Sequence, residues 1–169
     1  MLTCNLSNPD FYNRQGQRWL LHDLIHLRRS RFIWRGVCFE RIRVRNFGQR
    51  SRRLRLQLGF AADFRDLFEV RGQQRSQRGE MHAAQCQAQQ VTLSYTGLDG
   101  VLRSTSLRFE PLPQQLDDQQ AQFDLHLAAG ESRSLFVEIN CGTPRLPWSV
   151  RHAFFSSVRG ARRELRTFA

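Results

Sequence analysis

Alternation with a period of two dominates this chain. From Leu54 onward, Leu56, Leu58, Phe60, Ala62 and Phe64 fall on every second residue, with Arg53, Arg55, Gln57 and Asp63 between them. Successive side chains of a strand point to opposite faces, so this row predicts a long strand with one face buried. Val91, Leu93 and Tyr95 alternate in the same way, followed by Thr96-Gly97-Leu98-Asp99-Gly100 and then Val101, Thr105, Leu107 and Phe109. Asp99-Gly100 tolerates the positive φ of a tight turn, which predicts a β-hairpin. Phe123, Leu125 and Leu127, the segment Ala128-Ala129-Gly130-Glu131, and Leu135, Val137 and Ile139 repeat the pattern and predict a second hairpin.

Upstream, Trp19 to Leu27 and Phe32 to Val44 read as strands joined near Arg29-Ser30, with a further turn at Arg35-Gly36. The Gln-, Arg- and Gly-rich stretch 72–90 reads as a polar loop. Two prolines after Cys141 end the strand pattern, and Val150, Phe154, Val158 and Leu165 then recur on roughly one helical face. A linker followed by a basic amphipathic helix within 148–165 is predicted. Many short strands with turns between them point to an all-β fold, an antiparallel β-sandwich with a short C-terminal helix.

Composition narrows the function classes. The 169 residues, 40% hydrophobic, suit one domain, and the formal net charge of +11 raises polyanions as partners. All 26 basic residues are arginine, so compositional bias accounts for the charge as readily as selection does. Arg41, Arg43 and Arg45 share one face of a strand, and Arg53 with Arg55 would extend it from the next strand after the Asn46-Phe47-Gly48 turn. A single-strand nucleic-acid groove interleaves exposed aromatics on which bases stack, whereas Ile42, Val44, Leu54 and Leu56 alternate here. Nucleic acid is therefore the minor reading, and a solvated face or one docked on an acidic domain is preferred. No run of about 18 apolar residues occurs and the first residues lack a signal-peptide pattern, so no membrane contact and a cytoplasmic location are expected.

Cys4, Cys38, Cys86 and Cys141 are far apart without zinc-ligand spacing and are expected as buried free thiols. His22 and His26 are four residues apart in a strand-like context, which favours two partly buried histidines over a metal pair. No metal and no cofactor are expected. Asp63, Asp66 and Glu69 cluster, but Arg65 and Arg71 interleave with them, so ion pairing and turn capping are expected to occupy the carboxylates. Asp63 would cap a short helical turn over which Phe64, Leu67 and Phe68 pack. With no phosphate loop or nucleophile elbow, no catalytic residue is assigned.

The segment Asp63-Phe64-Arg65-Asp66-Leu67-Phe68-Glu69-Val70-Arg71-Gly72 resembles the D-F-x-D-L-F-E-V-R-G signature of the N-terminal domain of bacterial glycogen-debranching-type, amylo-α-1,6-glucosidase-like enzymes. Leu2 to Asp10 is similar to the family's L-T-N-P-D segment, and 27–47 to its R-R-x-R-F and E-R-I-x-V-x-N-F stretch. The segment 93–100 is similar to an L-x-Y-x-G-L-D-G block. The likeness is collinear over about residues 2 to 140.

The resemblance implies a β-sandwich accessory domain over 1–141, and a linker and helix over 142–169 leading toward an (α/α) toroidal glycosidase domain that carries the catalytic carboxylates. Family members have further strands before the segment matched by Leu2 to Asp10, so the sandwich is expected to be incomplete at its N-terminus. Asp63, Phe64, Asp66, Phe68, Glu69, Arg71 and Gly72 become structural-signature or domain-interface residues. The expected partner is a glycosidase catalytic domain, in cis or on a separate chain, with α-glucan as a further ligand. In the alternative of a stand-alone α-glucan-binding module, Trp19, Trp34 and Trp148 would offer flat rings on which sugars stack.

Overall fold

The computed structural model describes residues 1–142 and 148–167. Along the chain these form β1 (Leu2–Ser7), β2 (Phe11–Tyr12), β3 (Arg18–Leu20), β4 (Ile25–Trp34), β5 (Val37–Asn46), β6 (Arg52–Gly59) and α1 (Leu67–Val70). There follow β7 (Glu80–Met81), β8 (Gln85–Gln87), β9 (Gln90–Thr96), β10 (Leu102–Glu110), β11 (Gln115–Leu116), β12 (Gln120–Leu127), β13 (Ser132–Asn140) and α2 (Val150–Thr167). A large sheet runs β1-β4-β5-β13-β10-β9-β7, with β8 also on β9, and a small one runs β11-β12-β6. Strands β2 and β3 pair separately. The antiparallel sandwich is thus the fold.

Period two decides the layers. On β5, Ile42 and Val44 join Leu135 and Val137 of β13, Leu107 and Phe109 of β10, and Val91 of β9 in one buried cluster. The small sheet closes that cluster with Phe123, Leu125 and Leu127, all buried, and the half-buried Leu54, Leu56 and Leu58. Residues of opposite parity, Phe39 and Phe136, face the other way and pack under Val150, Ala153 and Phe154 of α2. The large sheet therefore has cores on both faces, one under the small sheet and one under the helix.

Helix α2 is fixed at its start by Ser149, whose Oγ accepts from the His152 N–H at 3.2 Å, and by Glu110, whose Oε2 accepts from the Arg151 N–H at 2.9 Å. These bonds satisfy amides that a helix start leaves without partners. Near its end, a Cβ at Gly160 would meet the Trp34 ring at 3.3 Å, so the missing side chain permits the close approach. Leu165, expected on the buried face, is 70% exposed at the rim of an open pocket that it shares with Ile33, Trp34 and Val158. The linker expected before α2 falls largely on residues 143–147, outside the described residues.

At one end a single amide ties the two sheets together. Asn46, fully buried, donates from Nδ2 to the carbonyls of Arg50, Leu127 and Ala128, and its Oδ1 accepts from the Gly48 N–H. Its own backbone N–H donates to the Glu131 carbonyl.

Several expectations need correction. Strands β12 and β13 are not a hairpin: β12 pairs with β6 and β13 with β5, so Ala128–Glu131 arches from one sheet to the other. Two strands burying residues into the same core show the same alternation whether they pair or face each other. Strand β4 passes unbroken through Arg29-Ser30, because Arg29 and Arg31 both reach Glu40 across the β4–β5 pair, each at 2.6 Å. The turn expected at Arg35-Gly36 is present and joins β4 to β5, both residues having positive φ. The predicted Trp19 to Leu27 strand is broken by a turn in which Asp23 has φ 59°.

The long strand ends at Gly59, although Phe60, Ala62 and Phe64 still pack on the core. Stretch 72–90 contributes the short strands β7 and β8. Cys4, Cys86 and Cys141 are exposed and Cys38 half-buried, since these strands are peripheral or their thiols lie on uncovered faces. His22 is exposed beside Asp10.

Candidate functional site

Beyond β6 the chain continues in extended form to Phe64, whose φ of 47° swings its ring onto Tyr95 of β9, stacked at 5.5 Å and 12°. The Tyr95 hydroxyl in turn accepts from the Gly79 N–H at 2.7 Å. The turn that follows is capped by Asp66 rather than Asp63. Asp66 Oδ1 accepts from the N–H groups of Phe68 and Glu69, both at 2.8 Å, and Glu69 Oε2 accepts from the Asp66 N–H at 3.0 Å. This is a reciprocal capping box, encoded by the Asp-x-x-Glu spacing. Asp63 sits earlier, its carboxylate accepting from the Arg65 N–H.

The exit of α1 is closed by Gly72 at φ 99°, with its N–H donating to the Glu69 carbonyl and that of Gln73 to Phe68. Only glycine adopts that backbone without strain, which explains the final position of the motif. Arg71 forms the C-cap and donates its N–H to the Leu67 carbonyl.

Two arginines outside the motif lock the turn. Arg75 pairs with Asp66, and Arg78 pairs with Glu69 at 3.2 Å while donating to the Asp63 carbonyl at 2.6 Å. The β9–β10 hairpin supplies the opposite wall of a cleft of about 280 Å³, with Tyr95, Leu98, Asp99 and Arg103 facing Asp66 and Glu69. Asp99 takes two hydrogen bonds from Arg103, at 2.7 and 3.0 Å. The Arg103 side chain, and then the Val101 N–H, hold the Asp99 carboxyl far below the usual range. The Asp66 carboxyl is also lowered, chiefly by the Glu69 amide.

All these carboxylates are engaged, so the arrangement is a rigid corner. Its apolar side chains are not packed inside. Leu67, Phe68 and Val70 are 59%, 57% and 70% exposed, contrary to the expected packing of Leu67 and Phe68 over the turn. The capping box and arginine pairs hold α1 without a buried face. Leu98 at the hairpin tip is exposed as well.

The three tryptophans are scattered. Trp19 on β3 is half-exposed beside Phe11 at 5.8 Å, and the two border a cavity of about 330 Å³ that reaches Arg53 and Arg55. Trp34 lies half-buried under Gly160, and Trp148 is edge-on to His152 at 4.8 Å. The single basic face expected from Arg41, Arg43, Arg45, Arg53 and Arg55 is two faces. The first three stand on the α2 side of the large sheet, and Arg53 and Arg55 on the outside of the small one. The Asn46 turn leads into the other sheet, not to a neighbouring strand. Among the described residues no three His, Cys, Asp or Glu side chains gather in a metal-binding group, and no helix is long and apolar enough to cross a membrane.

Sequence reasoning missed Arg75, Arg78, Asp99 and Arg103 as parts of this corner. The signal was there: the two motifs that carry the resemblance, 63–72 and 93–100, turn out to be the two walls of one cleft.

Compared with known proteins, residues 1–138 match a family described as the N-terminal domain of (some) glycogen debranching enzymes. No curated protein matches the chain. Among solved structures it is similar to a putative kojibiose phosphorylase from the human microbiome, with TM-score 0.53 and 9% identity over 83% of this chain and 19% of that one. It is also similar to a polysaccharide lyase, with TM-score 0.45 and 15% identity over 80% of this chain and 23% of that one. The chain spans about a fifth of the length of these structures. At 9% identity the likeness to the phosphorylase is one of fold.

Proposed function

Because the chain belongs to the family of N-terminal domains of (some) glycogen debranching enzymes, we propose that it is a non-catalytic β-sandwich module supporting the catalytic domain of a glycosidase in α-glucan metabolism. The observation that carries the reading is the exposure of Leu67, Phe68 and Val70 on a turn whose charged residues are otherwise spent on holding it rigid. A preorganised turn presenting apolar side chains loses little entropy when another surface covers it. The four free thiols, three of them exposed, support a reducing, cytoplasmic setting.

The test is calorimetric titration of this chain with a glycosidase catalytic domain from a family member. Association that Phe68→Ser and Val70→Ser abolish, without change in the melting temperature of this chain, is expected. Absence of association, with no change in the stability of the catalytic domain, refutes the reading.

A second reading, direct contact with α-glucan, is favoured by the exposed Trp19–Phe11 pair at the mouth of its cavity. Maltooligosaccharides should then change tryptophan fluorescence in the native chain and not in Trp19→Ala, and a flat response in both removes it.

A further inference from the structure

Strands β4 and β5 place Arg28 directly opposite Arg43, and Ser30 opposite Arg41, on the face that α2 partly covers. Like charges directly across a pair of strands oppose folding unless something offsets them. Arg41 and Arg43 lie two residues apart on the same strand face, and α2 adds Arg162 to the same pocket. Among the described residues none of Arg28, Arg41, Arg43, Arg151 and Arg162 forms an ion pair: on this face Glu138 is taken by Arg108 at 3.2 Å and Glu110 accepts from the Arg151 N–H, while Glu40 serves Arg29 and Arg31 on the other side of the sheet.

The two central guanidinium groups are nevertheless held in place. Arg41 donates from Nε and Nη2 to the Ser134 hydroxyl at 3.1 and 3.0 Å, and lies 5.7 Å from the rings of both Phe136 and Phe155. Arg43 donates from Nη2 to Ser132 at 3.2 Å. A guanidinium carries five N–H donors, so most remain free to point into the pocket. Partial burial, and then the charges of Arg43, Arg151 and Arg28, work against the ionised form of Arg41.

The pocket has a volume of about 280 Å³, with Phe154, Phe155 and Val158 as its apolar wall. It is cut off on one side by the helix, so it suits a compact anion rather than a polymer lying across the sheet. Fixed, unpaired guanidinium groups that converge on one small space are the donor set for phosphate oxygens.

We propose that this pocket between the β4–β5 face and α2 binds a phosphate group, either as inorganic phosphate or on a phosphorylated sugar. The proposal stands apart from the role of the corner. The anion would neutralise the opposed arginines, and the apolar wall would receive the C–H face of a hexose ring.

The test is titration calorimetry and thermal melting of the full chain with inorganic phosphate, glucose 6-phosphate and uncharged glucose. Saturable binding of one phosphate group per chain, with no glucose binding, is expected. Arg41→Gln and Arg43→Gln should each weaken it by about tenfold or more, the loss expected for a charge-assisted hydrogen bond to an anion. Arg53→Gln, on the opposite outer surface, should leave binding unchanged. Without phosphate, Arg43→Gln should melt no lower than the native chain, because it removes the repulsion of Arg28, so weaker binding is not confused with misfolding. Tighter binding of the sugar phosphate assigns the site to phosphorylated sugars, and equal affinity assigns it to the free anion. Lack of saturable phosphate binding, or binding that Arg41→Gln and Arg43→Gln leave intact, overturns the proposal. So does a single-stranded oligonucleotide that binds with steep salt dependence and displaces phosphate, since it would make the face a polyanion track.

Discussion

Replacing Phe154 by alanine tests whether α2 is integral to the sandwich. Phe154 is 4% exposed and its ring lies 5.3 Å from Phe32, 5.5 Å from Phe136 and 5.3 Å from Phe155. Truncating a buried phenylalanine costs about 3–5 kcal/mol through lost transfer energy and the cavity left behind. With three ring partners and near-complete burial the estimate sits near the middle, about 4 kcal/mol. That is a large part of the roughly 5–15 kcal/mol that holds a domain folded. For a chain of this size it corresponds to a melting temperature lowered by about 8–16 °C.

An 18-residue helix with little intrinsic support is marginal alone. Its undocking would also bare Phe39 and Phe136, so helix and sheets should melt together. Thermal denaturation followed at 222 nm for the helix and by the infrared amide I band of the strands for the sheets gives the readout. Two separate transitions in Phe154→Ala, the later one at the native temperature, would refute the reasoning. Leu165→Ala, at an exposed position, should change stability by no more than about 0.5 kcal/mol.

Other perturbations give distinct signatures. Glu40 is buried between Arg29 and Arg31, and although burial pushes its carboxyl up, hydrogen bonds from the two arginines outweigh that and leave it lowered. Its contribution is therefore complete above the ordinary glutamate pKa and is lost as pH falls through the lowered folded-state value. Glu40→Gln should cost about 1–3 kcal/mol at neutral pH, discounted because both arginines are half-exposed, and should flatten the acid limb of urea-denaturation midpoints from the ordinary glutamate pKa downward. An unaltered limb would show that the pair carries no linkage. Gly160→Leu, which drives a side chain into Trp34, should destabilise by about 1–3 kcal/mol in chemical denaturation, and an unchanged midpoint would mean the helix has room there. Asp66→Ala removes the acceptor for two amides, so hydrogen exchange at Phe68 and Glu69 should accelerate while core strands keep their protection.

The strands were legible wherever one face is buried and the other wet, as in β6, β9 and β10. Pattern alone could not say which strands pair: the arch at Ala128–Glu131 and a true hairpin bury the same residues, and only the partner strand distinguishes them. Arg29-Ser30 read as a turn because the carboxylate that makes Arg29 tolerable, Glu40, comes from the neighbouring strand. The helix was visible in its spacing, but its landing place depends on Phe39 and Phe136, whose outward parity mattered only once the sheet had two sides to fill. At the corner, the Asp66–Glu69 box was readable in the motif, whereas its arginine locks come from a stretch whose composition looks like unstructured loop.

The amide of Asn46, at the end of a large-sheet strand, reaches carbonyls at the end of β12, before β6 and in the arch, so slippage of one sheet along the other would strand several partners together instead of loosening them one by one. Aspartate at this position would set a carboxylate against three carbonyl oxygens, and a shorter alcohol would fall short of them. The two layers are thereby latched in a single register, and a load applied to one is passed on to the other without play.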